Sequence, residues 1–190
     1  SGGDTGVFED ASGTGTGPIR YRSGTISYSA DFVVGSPSVD HIGNPISDTR
    51  MFFATSKGAI RAGTTNGSSA GVWDVGAIGY YSFAFGTNTV ANSSNSAAWG
   101  LGSTAGSINA TAWGGYTGPG LVGGTASGVS STAWGIQTTA GGQGATAWGF
   151  QASAGGLYST AWGNGSVASG NYSTAFGSTS TASGLWALAG

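Results

Sequence analysis

Few side chains in this 190-residue chain are able to do acid–base, metal or nucleophilic chemistry, and their spacing gathers none of them into a site. His41, the single histidine, stands near Asp40 and Asp48 in a stretch that also holds Pro37 and Pro45. An imidazole with two carboxylates is raw material for a metal site or an acid–base pair, but a metal site needs three or four converging ligands, and these three lack the spacing. Asp4, Glu9 and Asp10 offer oxygen ligands for calcium without the alternating ligand loop that calcium sites use. Serines and threonines are abundant, yet a nucleophilic hydroxyl needs a base, and the one histidine lies in a proline-rich loop far from most of them. The expectation is a chain with no catalytic residue, no metal and no cofactor.

A different chemistry, that of apolar and stacking contact, is carried by Phe85, Trp99, Trp113, Trp134, Trp148, Trp162 and Phe176. Each precedes a glycine within a recurring phrase, such as Ala-Thr-Ala-Trp-Gly ending at Gly149 and Ser-Thr-Ala-Trp-Gly ending at Gly163. One tryptophan side chain buries roughly 150 to 250 Å². Seven equivalent aromatics in a row make an apolar stripe larger than the few hundred Å² that a soluble monomer exposes, so the stripe must meet something. The expected role is a subunit interface, with an exposed stacking platform for sugars as the alternative.

The elements that would hold such a ladder follow from the period. Gly86, Gly100, Gly114, Gly135, Gly149, Gly163 and Gly177 recur at intervals of 14, with one interval of 21. A fixed period of this length marks a repeat architecture. Two heptads of a coiled coil would also give 14, but uncharged units of Gly, Ser, Thr and Ala are poor helix material and carry no ion pairs. Within Tyr158-Ser159-Thr160-Ala161-Trp162-Gly163 the bulky residues alternate with the small ones, which is a strand with one large face and one small face. The stretch Asn164 to Gly170 reads as turn, short strand, turn. Two strands per unit then wind one coil of a parallel β-solenoid, small residues inward, with each coil pairing to the next at roughly 4.8 Å. The seven extra residues between Gly115 and Gly128, with Gly118-Pro119-Gly120 among them, are expected to bulge as a loop.

The phrases Ala-Ser-Gly-Asn-Tyr-Ser-Thr-Ala-Phe-Gly at 168–177 and Gly-Gly-Leu-Tyr-Ser-Thr-Ala-Trp-Gly at 155–163 resemble the head repeats of YadA-like trimeric adhesins. The resemblance covers about 110 residues and implies an all-β, left-handed parallel β-roll in a homotrimer, with three rolls turning their ladders toward a shared axis. It departs from that family in placing Trp or Phe before the glycine, where an aliphatic residue is usual. The segment from Asp31-Phe32-Val33-Val34 through Arg50-Met51-Phe52-Phe53 and Ala59-Ile60-Arg61-Ala62-Gly63 to Trp73-Asp74 resembles the module that precedes such repeats in many large surface and fibre proteins. The expected organisation is a Gly-rich arm over 1–18, a small β-rich module over 19–80 with a hairpin around Ser23-Gly24, and the roll over 81–190.

Only 6% of residues are charged, the net charge is −2, and from 75 to 190 there is no Asp, Glu, Lys, Arg or His. Phosphate-backbone binding needs clustered Lys and Arg, so nucleic acid is excluded as a partner. Arg20, Arg22, Arg50, Lys57 and Arg61 lie near Asp31, Asp40, Asp48 and Asp74 and read as a solvated collar of mixed sign. The absence of cysteine excludes disulfides and thiolate metal sites. No apolar run reaches the roughly 20 residues that span a bilayer, so membrane insertion by this chain is not expected. The opening Ser-Gly-Gly-Asp is not a signal peptide and reads as a processed or excised start.

These readings converge on an extracellular, cell-surface or virion-fibre protein whose first partner is itself. One form is a trimeric adhesin or fibre head that meets a host glycan or matrix protein. The other is a subunit of a head-to-tail filament or phage tail fibre, in which Ile19, Tyr21, Ile26 and Tyr28 add to the last coil near Trp186 and Leu188. A rank of threonines at Thr111, Thr132, Thr146, Thr160 and Thr174 raises ice binding, but a tryptophan beside each interrupts a flat surface.

Overall fold

The computed structural model describes residues 8–10, 19–21, 32–34, 47–66, 71–115 and 123–190, with side chains over 49–65, 71–115 and 123–190. Residues 1–30 and 31–190 form two compact units. In the first, β1 (Phe8–Asp10) pairs antiparallel with β2 (Ile19–Tyr21), so part of the expected arm is strand. The hairpin expected around Ser23-Gly24 lies outside the described residues, as do His41, Asp40 and the arm residue Asp4.

The second unit is a parallel β-solenoid of seven coils, each made of one long and one short strand. The long strands are β6 (Phe83–Thr87), β8 (Ala97–Leu101), β10 (Thr111–Gly114), β12 (Thr132–Ile136), β14 (Thr146–Phe150), β16 (Thr160–Asn164) and β18 (Thr174–Ser178). The short ones are β7 (Val90–Ala91), β9 (Thr104–Ala105), β11 (Thr125–Ala126), β13 (Thr139–Ala140), β15 (Ser153–Ala154), β17 (Val167–Ala168) and β19 (Thr181–Ala182). A further strand, β20 (Leu188–Ala189), continues the long-strand ladder beyond β18. Every pairing within the coils joins positions one repeat apart, as in Thr146↔Thr160, Ala147↔Ala161 and Trp148↔Trp162.

Alternation sends the small residues inward. Ala84, Ala98, Ala112, Ala133, Ala147, Ala161 and Ala175 of the long strands are fully buried, facing the buried alanines of the short strands, Ala91 through Ala182. Buried serines sit two residues before the long-strand alanine in five coils, and in four of them the hydroxyl closes the turn behind it: Ser82, Ser96, Ser159 and Ser173 each donate to the carbonyl three residues back, at 2.6–2.8 Å, whereas the buried hydroxyl of Ser131 makes no hydrogen bond. Among the described residues the buried apolar side chains are alanines, save Phe52, Trp73 and Ile78. An interior of methyl groups at about 0.8 kcal/mol per buried carbon is thin, so the backbone ladders carry much of the cohesion.

The repeat glycine is fixed by two constraints. At Gly149 φ is +115°, and a Cβ there would lie 2.3 Å from the carbonyl oxygen of Gly163 in the next coil. The same close approach recurs from Gly63 to Gly163, so this column must be glycine throughout. Two left-handed corners per coil complete the turn. One falls at Tyr81, Asn95, Asn109, Ser130, Gly144, Tyr158, Tyr172 and Trp186, the other at Asn88, Gly102, Gln137, Gln151, Gly165 and Thr179. Glycine and asparagine were the expected occupants; the coil geometry imposes positive φ on tyrosine and tryptophan as well.

The 21-residue interval leaves the solenoid unbroken. Its seven extra residues fall between β10 and β11, while β10 pairs with β8 and β12, and β11 with β9 and β13, in the same register as every other coil. The expected loop itself lies outside the described residues.

Three more strands extend the long-strand sheet: β3 (Phe32–Val34), β4 (Ser47–Ala54) and β5 (Ala59–Asn66). β3, β4 and β5 pair antiparallel, and β5 then runs parallel to β6 with Ile60↔Phe83, Arg61↔Ala84, Ala62↔Phe85 and Gly63↔Gly86. β5 is therefore a zeroth long strand, with an arginine where every later coil has alanine.

Candidate interaction surface

The outer face of the long-strand sheet carries the aromatic ladder. Phe85, Trp99, Trp113, Trp134, Trp148, Trp162 and Phe176 are Cα partners in sequence, so the seven predicted residues form one column. Ring centroids are 4.8 Å apart for Trp99 and Trp113, 5.1 Å for Trp113 and Trp134, 5.3 Å for Trp134 and Trp148, and 5.2 Å for the next two steps. Trp99 and Trp113 are coplanar within 5°, Trp148 and Trp162 within 14°, and Trp162 and Phe176 within 16°. The Trp113–Trp134 step is edge-on at 62°.

At the three stacked steps the rings cover one another's faces, while the Trp113–Trp134 step is edge-to-face and Trp134–Trp148 is tilted by 33°. Trp99, Trp134 and Trp148 remain 36–38% exposed, and the other four are half-buried. The threonines Thr111, Thr132, Thr146, Thr160 and Thr174 flank the column, also half-buried.

Two features of this face were not read from the sequence. Phe83 takes the threonine position in the first coil and stacks on Phe85 at 4.2 Å, and with Trp99 these rings line an open apolar recess of about 450 Å³. A second aromatic column, Tyr158, Tyr172 and Trp186, follows one corner with centroids 5.6 and 4.4 Å apart. Its 14-residue spacing was visible, but the positions fall at turns, where stacking is not looked for.

At the first coil the mixed-sign collar proves to be something else. Arg61 is fully buried and Arg50 is 2% exposed. Arg61 occupies the alanine position, and its guanidinium donates to the carbonyls of Ile60, Ser82 and Ala91 and to Ser82 Oγ, at 2.7–3.0 Å. Burial lowers its pKa from the ordinary arginine value to about 10. Trp73 Nε1 donates to the carbonyl of Thr89 at 2.7 Å, and Gly79 N to that of Ala91 at 3.1 Å. The carbonyls of the first coil are thus met by donors from β5 and the 71–79 segment. Arg50 packs over the Phe52 ring and pairs with Asp74 at 3.6 Å. Lys57 is half-buried, its ammonium 4.2 Å from the centre of the Tyr80 ring.

The YadA head domain repeat family matches residues 77–105, 140–166, 154–180 and 168–185. The last three segments overlap, each starting 14 residues after the one before, and all four fall on the coils described above. The solenoid carries YadA-like head repeats. No curated protein and no solved structure matches the chain. In this YadA-like roll the inward positions of the long strands are Ser and Ala, and the position before the glycine is an aromatic ring.

Of the proposed end-to-end residues, Trp186 and Leu188 are 69% and 73% exposed, with Trp186 stacked on Tyr172. Ile19 and Tyr21 belong to β2, in the other compact unit. Ile26 and Tyr28 lie outside the described residues. No group of His, Cys, Asp and Glu able to hold a metal occurs among the described residues, and none of their helices is long and apolar enough to cross a membrane.

Proposed function

We propose that this chain is a non-enzymatic structural and adhesive protein, one of three identical left-handed rolls that form an extracellular surface head with their aromatic columns facing a common axis. The observation that carries this reading is the inversion of size across the long strands: alanine inside, tryptophan outside. A roll whose interior is filled by methyl groups has no room for indole rings, and an uncharged outer ridge of aromatic rings is shaped for apolar contact. The likeness to YadA head repeats supports a threefold partner and a surface location. The short-strand sheet would then face outward, presenting threonine, serine and glycine to a receptor or matrix.

Single-cysteine variants test the arrangement, because the chain has no cysteine of its own. Trp113→Cys should cross-link between chains under mild oxidation, and Thr139→Cys, on the short strand β13, should not. The reverse pattern would place the other sheet at the interface.

A further inference from the structure

We propose that the self-association surface does not begin at the first repeat but runs on through β5 and β4, so that Met51, Phe53, Ile60 and Phe83 form its N-terminal end and contact a second copy of the chain; this rests on the reading above. The register places Met51↔Ala62↔Phe85↔Trp99 in one column, continuous with the ladder, and Phe53↔Ile60↔Phe83↔Ala97↔Thr111 in the column beside it. Along the repeats that neighbouring column is mostly threonine; over β4, β5 and β6 it becomes Phe53, Ile60 and Phe83. The apolar stripe therefore widens from one column to two at this end.

Met51 and Phe53 are 40% and 41% exposed, while Arg50, Phe52 and Ala54 between and beside them are buried. The alternation makes the outward placement of these two a property of the strand, not of a loose terminus. The recess lined by Phe83, Phe85 and Trp99 opens beside Ala97, the small residue that interrupts the second column, and at about 450 Å³ it has the volume to take an apolar side chain.

Area argues for a copy of this chain as the occupant. Met51, Phe53, Phe83, Trp99, Trp134 and Trp148 together expose roughly 480 Å² if each contributes about 80 Å². The half-buried Ile60, Phe85, Trp113, Trp162 and Phe176 bring the face toward the roughly 800 Å² per partner of a stable interface. A partner with an equally uncharged, equally long apolar ridge is the same face on another copy.

The full chain with Met51→Cys, and separately Phe53→Cys, is oxidised beside Trp113→Cys and Thr139→Cys, with circular dichroism checking that each folds. Met51→Cys or Phe53→Cys should lose its monomer band as fast as Trp113→Cys. If both stay uncross-linked while Trp113→Cys cross-links, the interface stops at the repeats and this proposal is overturned. If Trp113→Cys also stays uncross-linked and the protein sediments as a monomer, the reading of the ladder fails first. A folded Met51→Ser/Phe53→Ser variant gives an independent measure: it should raise the concentration at which the assembly dissociates by at least about tenfold, and an unchanged dissociation would overturn the extension.

Discussion

The guanidinium of Arg61 reaches the carbonyl of Ala91 at 2.7 Å, across 30 residues of chain, from a backbone position in register with Ala84. Solenoids expose backbone groups at their ends and need caps. Here one arginine, placed where an alanine methyl would sit, spreads its donors over the carbonyls of Ser82 and Ala91 and closes the first coil. Arg61→Leu removes those donors; the carbonyls of Ser82 and Ala91 keep one backbone donor each, Ile60 N and Gly79 N, but lose their hydrogen bonds to a charged group, which contribute about 1.5–3 kcal/mol apiece. The expected loss is about 2–4 kcal/mol, read as a lower urea midpoint. An unchanged midpoint would show that the end of the roll needs no such closure.

Glycine substitutions separate geometry from composition. Gly149→Ala should destabilise the roll by more than about 2 kcal/mol, since it meets both a φ of +115° and the Gly163 carbonyl. At exposed Gly155 a side-chain methyl would meet nothing within 4 Å and φ is not left-handed, so Gly155→Ala should stay within about 0.5 kcal/mol. Equal effects in thermal unfolding would refute the stacked-glycine account.

Period, strand alternation and the small inward face could all be read from the sequence, because they repeat and each repeat reinforces the same register. The column of ladder residues followed directly from that. What escaped was carried by single occurrences. Ala-Ile-Arg-Ala-Gly at 59–63 aligns with Ser-Phe-Ala-Phe-Gly at 82–86, and Gly63 shares the Gly column, but an arginine in an alanine slot does not look like a core position until its acceptors are known. Trp73 and Arg50 were hidden for the same reason: their burial depends on contacts with residues distant in sequence. Phe83 differs from the threonine consensus at one place only, and its meaning appears once Phe53 and Ile60 are seen beside it.

The stability of the roll should be flat in pH. Residues 75–190 hold no Asp, Glu, His, Lys or Arg, so hydrogen exchange at their amides, corrected for intrinsic rate, should show constant protection from about pH 5 to 9. Arg61 does not alter this. Its folded pKa of about 10 lies below the ordinary arginine value, so both states are charged below about 10 and the group contributes no slope there. Above that, the unfolded chain holds the proton longer, and linkage raises stability with pH rather than opening the cap. Protection that changes within the coils across that window would contradict the account.

Because the ladder lies outside the roll, replacing Trp148 and Trp162 by serine should spare the coil and weaken association. The parallel pairing Ala147↔Ala161 and the glycine stack do not depend on the rings. Far-UV circular dichroism of the double variant should match the parent after correction for the lost aromatics, while its assembly dissociates at higher protein concentration.

Sedimentation equilibrium of the intact chain over a wide concentration range tests the central claim most directly. Aromatic rings lined up along one uncharged face should hold three copies together, giving three times the 18.4 kDa chain mass down to the lowest concentration measured. A folded chain that sediments at 18.4 kDa throughout, with its ladder in water, would contradict it.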